Sequence, residues 1–329
     1  MTVLVTGGAG YIGAHMALAL LDRGERVVVL DDLSTGIRAA VPAAAEFVEG
    51  DVGDQALVAR VIADRGVEAI AHFAAKLVVP ESVARPLDYY LANPVKTRAL
   101  IEVAVARGVR HFVFSSTAAV YGNPASNPVS EDAKPSPINP YGASKLMSEW
   151  MLRDTAAAHD FRYVALRYFN VAGADPAGRA GQSAPEATHL IKVAVRTALG
   201  LRERLDVFGT DYPTPDGTCV RDYIHVTDLV DAHIAALAHL RGGGASLVAN
   251  CGYGRGYSVL EVIEAVRRVS GRDLPVRMAP RRAGDPATIV ARADLARDRL
   301  GWRPRHDDLD AIVAQALAWE EKLVARTAA

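Results

Sequence analysis

"TVLVTGGAGYIGAHMALALL", residues 2–21, decides the fold. Its first five residues are β-branched or leucine, the composition of a short buried strand, and from Tyr11 onward the apolar residues fall at helical spacing. Between the two stand Gly7, Gly10 and Gly13. Glycine at these points permits a tight turn, lets the backbone approach a pyrophosphate and allows the helix to pack closely on the sheet, while the helix N-terminus faces negative charge. A glycine pattern alone is a weak signal; one that follows a strand and opens a helix is the dinucleotide-binding form. The next apolar run, "RVVVLDD", ends in Asp31 and Asp32. A carboxylate there accepts hydrogen bonds from a ribose 2′-hydroxyl and repels a 2′-phosphate, so the expected cofactor is NAD rather than NADP.

The same alternation continues outward. "EFVEGD", a helix near residues 55–65, "EAIAHFAA", a long helix from about Val83 to Arg107, "RHFVFSST", a helix from Tyr141 and "RYVALRYFN" follow in order. Strands that are apolar throughout and separated by helices belong to a parallel sheet covered on both faces. The expected fold class is α/β, a doubly wound, Rossmann-like parallel sheet with a smaller mixed α/β substrate-binding region. Residues 1–170 are read as the nucleotide-binding domain. Beyond Asn170, Gly-, Pro- and Asp-rich stretches such as "FGTDYPTPDGTCVRDY" replace the regular pattern, and loops of that length are usually functional. Residues 225–252, a helix and the strand "LVANCG", read as a return to the sheet; 171–224 and 253–329 are left for the substrate, over the carboxyl edge of the strands.

Composition narrows the partners. The 329 residues carry 37 Lys and Arg against 38 Asp and Glu, a formal net charge of -1, so nothing calls for nucleic acid or an anionic membrane. Cys219 and Cys251 make neither a disulfide framework nor a zinc pattern, which points to a reducing, cytoplasmic setting. No metal is expected. "MTVLVTGGAG" reads as a strand, since it lacks the basic start of a signal peptide.

The chemistry is written in "NPYGASKLMSEW", residues 139–150, where Tyr141 and Lys145 stand one helical turn apart. An ammonium held beside a phenol favours the phenolate and lowers the pKa from about 10. That spacing arises by chance on many helix surfaces and decides nothing by itself. "VFSSTAAVYG" ends a strand at the carboxyl edge and offers Ser115, Ser116 or Thr117 as a hydroxyl beside the same site.

Glycine turn, strand-end hydroxyl and "YGASK" together resemble the extended short-chain dehydrogenase/reductase family over nearly the whole chain. The segments "TGGAGYIGAH", "PESVARPLDYY", "RYFNVAGAD", "FGTDYPTPDGTCVRDYIHVTDL" and "RRAGDP" resemble its sugar-nucleotide 4-epimerases. The resemblance implies Tyr141 as general acid/base, Lys145 as the residue that tunes it and holds the nicotinamide ribose, and Thr117, with Ser116 as the competing choice, as the hydroxyl on the reacting oxygen. For the cofactor it implies Gly7, Gly10, Tyr11, Ile12, Gly13, Asp31, Asp51, Val52, Phe73, Ala74, Lys76, Ser115 and Tyr168, together with Tyr141 and Lys145. For the substrate it implies Thr117, Asn170, His189, Leu190, Phe208, Arg221, Arg282 and Asp285. Lys76 stands two residues before the place where many members have their cofactor lysine, His189 where asparagine is common, and Ile289 where side-chain bulk bears on N-acetylated sugars.

The implied reaction is reversible 4-epimerisation of UDP-galactose and UDP-glucose through a transient 4-keto sugar and enzyme-bound NADH. Relatives that eliminate water or carbon dioxide carry acids after the strand-end hydroxyl, whereas this chain has Ala118 and Ala119. Two alternatives stay open: a 4-epimerase of another UDP-sugar, such as UDP-GlcNAc, UDP-glucuronate or a UDP-pentose, and a non-catalytic NAD-binding sensor. The resemblance also implies a homodimer; Leu87, Leu91, Met147 and Met151 could pair two subunits as a four-helix contact or equally cover the sheet.

Overall fold

The computed structural model describes residues 1–184, 188–282 and 284–328. Six short apolar runs become strands β1 (Thr2–Thr6), β2 (Arg26–Asp31), β3 (Glu46–Glu49), β4 (Ala69–His72), β5 (His111–Thr117) and β6 (Arg162–Tyr168), with Leu247–Cys251 as a seventh. All pair in parallel, in the spatial order Leu247–Cys251, β6, β5, β4, β1, β2, β3. The chain winds outward from β1 through β2 and β3, then returns to lay β4 on the other side of β1. The direction reverses there, so a crevice opens beyond the carboxyl ends of β1 and β4.

The strands alternate, and the alternation sorts their side chains into two cores. Val3, Val5, Val27, Val29, Val113 and Val164 enter one, and Leu4, Val28, Leu30, Phe112, Phe114 and Tyr163 enter the other. A period of two explains this, because successive Cβ atoms point to opposite faces. The first core is closed by helices Tyr11–Leu21 and Val226–Arg241, the second by Gln55–Arg65, Lys96–Ala106 and Pro140–Ala158. Helix Gln55–Arg65 begins where the Asp54 carboxylate accepts from Leu57 N and ends at Gly66, whose φ is 59°.

The long helix expected over Val83 to Arg107 is instead four pieces: Val79–Ala84, Pro86–Tyr90, a π-helical turn over Leu91–Val95, and Lys96–Ala106. Proline is the cause. Arg85, ahead of Pro86, leaves helical geometry at φ -133° and ψ 59°, and Pro94 lacks the N–H that a regular turn would require.

The remaining chain folds over the carboxyl edge as small sheets: Asn170–Ala172 with Tyr223–His225, Val220–Arg221 between Tyr257–Ser258 and Thr288–Ile289, and Leu205–Phe208 with Val276–Ala279. Its helices Leu190–Ala198, Val259–Ser270 and Leu309–Ala328 share the first core, where Trp302, Ile312 and Val313 join Val3 and Val5 in one apolar cluster. Among the described residues no helix is long and apolar enough to cross a membrane, and no metal-binding cluster of acids, His and Cys occurs. Cys219 and Cys251 are buried and unpaired.

Candidate active site

The glycine turn sits in the crevice. Gly7 has φ +70°, and a Cβ there would lie 2.5 Å from Ala74 N; at Gly13 a Cβ would lie 2.2 Å from Gly7 O. No side chain fits at either position, so the first helix begins tight against the sheet, with its free N–H groups directed out of the turn. Asp31 is nearly buried; its Oδ2 accepts from Ala9 N at 2.9 Å and its Oδ1 from Leu33 N at 2.9 Å. Burial raises its pKa against these two bonds. The carboxylate braces the turn and keeps lone pairs for a ribose hydroxyl. Asp51 accepts from Lys96 Nζ at 2.6 Å and from Gly53 N at 2.7 Å. Burial works against its ionisation, but the Lys96 bond prevails and holds its pKa low. Val52 is buried beside it, Ile12 is half-buried, and Phe73 and Ala74 follow β4 directly opposite Gly7. These groups form a cradle whose glycine turn and carboxylates fit a dinucleotide.

Lys76, expected at the cofactor, is partly exposed and has partners of its own. Its Nζ pairs with Glu81 at 2.9 Å and lies 5.7 Å from the centre of the Tyr89 ring. Tyr11, expected at the cofactor, directs its hydroxyl to Gly173 O at 2.6 Å.

Helix Pro140–Ala158 carries Tyr141 and Lys145, the candidates for the chemistry. Asn139 caps it by accepting from Gly142 N at 2.8 Å, with Pro140 in its first turn. The Tyr141 phenol faces the Thr117 hydroxyl. Burial raises the phenol's pKa and Thr117 pulls it down. The lowering expected from Lys145 is corrected by the geometry: Lys145 Nζ donates to Ser115 O at 2.9 Å and sits 4.9 Å from the centre of the Phe114 ring. Desolvation brings Lys145 itself down to about 7, with Glu149 acting the other way. Ser115 Oγ and Tyr168 OH, both assigned to the cofactor, are hydrogen-bonded to each other.

The Lys145 shift carries a stability prediction. From pH 7 to its ordinary 10.5 the unfolded chain keeps a proton that the folded protein has lost, so raising the pH favours the folded state across that window. Lys145→Met removes this contribution. The stability of the parent relative to the variant is expected to rise between pH 7 and 10, measured by urea unfolding.

Geometry also separates Ser116 from Thr117. Ser116 is fully buried and donates to Glu149, whose carboxylate takes two bonds from Arg167, at 2.9 and 2.6 Å. Arg167 continues to Tyr121 OH at 3.0 Å, and Tyr121 to Asn250 Oδ1 at 2.7 Å. Ser116 is thereby committed inside the sheet, whereas Thr117 faces the phenol. Thr117→Val is expected to reduce kcat about ten- to a hundredfold, the effect of one hydrogen bond to a developing charge. Ser116→Ala should instead lower the unfolding midpoint with a smaller kinetic effect.

On the substrate side, Arg221 is largely buried, donates to Val220 O at 2.9 Å and lies 3.8 Å from Asp285. The Arg282 guanidinium stacks 3.6 Å from the centre of the Phe208 ring. Asn170 N bonds Asp222 O at 2.9 Å. His189 precedes helix Leu190–Ala198, its Nδ1 buried without a hydrogen-bond partner among the described residues, and Asn170, His189 and Leu190 border one cavity. Ile289 is 5% exposed, pairs in register with Arg221 and packs with Ala118, Val120 and Leu146, on the side of the helix that bears Tyr141.

Sequence reading missed two residues that shape the site. His72, at the end of β4, bonds Thr6 Oγ1 at 2.6 Å and Thr97 Oγ1 at 2.9 Å, and burial, then the charge of Lys145, push it down to about 3. Asn93 bonds the backbone N and O of Lys76, at 2.8 and 3.0 Å, and Ser144 Oγ at 2.9 Å, tying the loop after β4 to the catalytic helix. The available signal was a polar residue next to Pro94 on a helix with an apolar face.

A doubly wound sheet with a glycine turn, an acid ending β2 and a Tyr/Lys/Thr group at the carboxyl edge defines a nucleotide-dependent enzyme class. Residues 3–252 match the NAD dependent epimerase/dehydratase family, and the chain belongs to that family. It is 60% identical to the UDP-glucose 4-epimerase of Azospirillum brasilense over 98% of this chain and 92% of that protein. A crystal structure of UDP-glucose 4-epimerase from Brucella ovis in complex with NAD superposes with a TM-score of 0.93 at 46% identity, covering 96% of this chain and 97% of that one. A third relative, UDP-glucose 4-epimerase from Bifidobacterium longum in complex with NAD+ and UDP, gives a TM-score of 0.93 at 39% identity over 98% of both chains.

Proposed function

We propose that this protein is an NAD-dependent 4-epimerase that interconverts UDP-galactose and UDP-glucose. The observation that carries this reading is the Tyr141 phenol against Thr117, followed by Ala118 and Ala119 where an elimination would need an acid. When bound in the cradle, NAD supplies the hydride acceptor and a positive charge that favours the phenolate. Tyr141 takes the proton of the sugar 4-hydroxyl and returns it after the ring has turned. Thr117 donates to the C4 oxygen as it becomes a carbonyl. Lys145, satisfied by Ser115 O, holds the ribose end of the cradle and restrains the catalytic helix against β5. C4 loses its hydrogen on one face and regains it on the other, so the product is the C4 epimer with no net redox change.

Turning the ring requires a loosely held hexose and a firmly held nucleotide. Arg221 and Arg282 are suited to the diphosphate, Phe208 to the uracil, Asp285 to a ribose hydroxyl, and Asn170, His189 and Leu190 to the linking region. Arg221 and Arg282 already have partners in Asp285 and Phe208, which hold their guanidinium groups in place.

The proposal extends to a cytoplasmic homodimer. Leu87, Leu91, Val95, Met147 and Trp150 are exposed along the two neighbouring helical stretches, with Leu87 77% exposed, a contiguous apolar surface that a second copy would cover as a four-helix contact. Met151, named for this contact from sequence, turns inward against the second core, and Trp150 stands on the surface in its place. Sedimentation velocity at micromolar concentration tests the dimer. The activity is tested by incubating the protein with UDP-galactose and no added cofactor, and quantifying UDP-glucose and NADH. Conversion without NADH accumulation is the expected result. Turnover of only UDP-GlcNAc, UDP-xylose or UDP-glucuronate would reassign the substrate, and none at all, with NAD supplied, would overturn the reaction.

A further inference from the structure

Residues 180–184 take no part in the chemistry, yet they are held with unusual care. Asp175 N donates to Ala180 O at 2.9 Å, and Ala174 and Gly181 form an isolated antiparallel bridge. Gly181 lies flat on the Trp319 ring, where a Cβ would come within 2.3 Å of the indole. The next carbonyl, Gln182 O, accepts from Lys192 Nζ at 2.6 Å, and Lys192 is ion-paired with Glu320. Both charged side chains are almost wholly buried, at 6% and 5% exposure. Arg196 approaches the other Glu320 oxygen at 3.6 Å. Trp319 and Glu320 belong to helix Leu309–Ala328, far along the chain from the glycine turn.

What this segment faces gives the arrangement its meaning. Gly181, Gln182 and Ser183 border one recess with Ala9 and Gly10 of the glycine turn and with Thr35 of the loop after β2. A buried ion pair costs desolvation, and apolar residues of the same size would stabilise the fold as well or better. A pair whose ammonium also grips a backbone carbonyl does something packing cannot do: it fixes the position of that backbone.

We propose that residues 180–184 are a strap that retains the dinucleotide, latched by Lys192, Glu320 and Trp319, so that the C-terminal helix governs how fast the cofactor leaves. This rests on the function proposed above, in which the cofactor is restored at each turnover and gains nothing from release. Dissociation then requires a local opening of the strap, and the latch sets its rate.

The test loads the full-length protein with NAD, removes free NAD by gel filtration, and follows release into an excess of a coupled dehydrogenase that reduces any free NAD. The parent is compared with Lys192→Met/Glu320→Gln, which removes both charges together, and with Trp319→Leu. Release is expected to accelerate about tenfold or more in the double variant, the effect of one charge-assisted hydrogen bond, and to accelerate in Trp319→Leu as well, which takes away the ring that Gly181 rests on. Release at the parent's rate in the folded variants overturns the strap while leaving the epimerase reading intact. A parent that binds no NAD overturns the epimerase reading and the strap with it. Where the variants do not fold, hydrogen exchange on the parent decides: slower exchange in the peptide covering 180–184 when NAD is bound supports the strap, and unchanged exchange overturns it.

Discussion

Tyr141→Phe is expected to lower kcat for UDP-galactose by about 10²- to 10⁴-fold, the range for loss of a positioned general acid/base. The ring stays, so the packing around it changes little. Phe retains no group that can exchange a proton with the 4-hydroxyl, and Thr117 loses its partner while still able to donate to the C4 oxygen. The KM for UDP-galactose and the amount of NAD carried through purification should stay near the parent's. Steady-state kinetics with a cofactor assay reads all three quantities. A variant that turns over at the parent's rate would remove Tyr141 from the chemistry, and one that fails to bind UDP-galactose would make it a binding residue.

Glu149→Ala is expected to destabilise the fold by about 3–5 kcal/mol, the cost of breaking a buried ion pair from one side. Arg167 would keep its guanidinium inside the sheet with only Tyr121 OH as partner, and Ser116 would lose its acceptor. Urea unfolding of the variant against the parent measures this. The companion Glu149→Gln/Arg167→Met should recover much of the loss, because it removes the stranded charge rather than exposing it. A single variant as stable as the parent would show that water or another group satisfies Arg167.

How far apart interacting residues lie along the chain sets what the sequence alone discloses. Gly7, Gly10 and Gly13, the acid ending β2 and the alternating strands are local patterns, and each was legible without coordinates. So was the helix from Tyr141, which carries its own cap in Asn139 and Pro140. The stretch 83–107 keeps apolar residues at helical spacing across the breaks at Pro86 and Pro94, so its pattern is that of one helix while its backbone forms four pieces. The choice between Ser116 and Thr117 was undecidable from the string: both are small hydroxyl residues on one strand. Only the pleat, which turns Ser116 toward Glu149 and Thr117 toward Tyr141, separates them.

The sequence by itself determined the class of fold and the preference for NAD, and it supplied the candidates for the chemistry, because those depend on residue type within a few positions of one another. The tertiary structure alone decided the rest. It placed Lys145 on the Ser115 carbonyl, joined Ser116 to Arg167 through Glu149, and brought Trp319 and Glu320 against a segment more than a hundred residues earlier. Such contacts are made by packing of distant elements in a dense core, where burial and partner set each group's charge, and no local pattern encodes which partner it will meet.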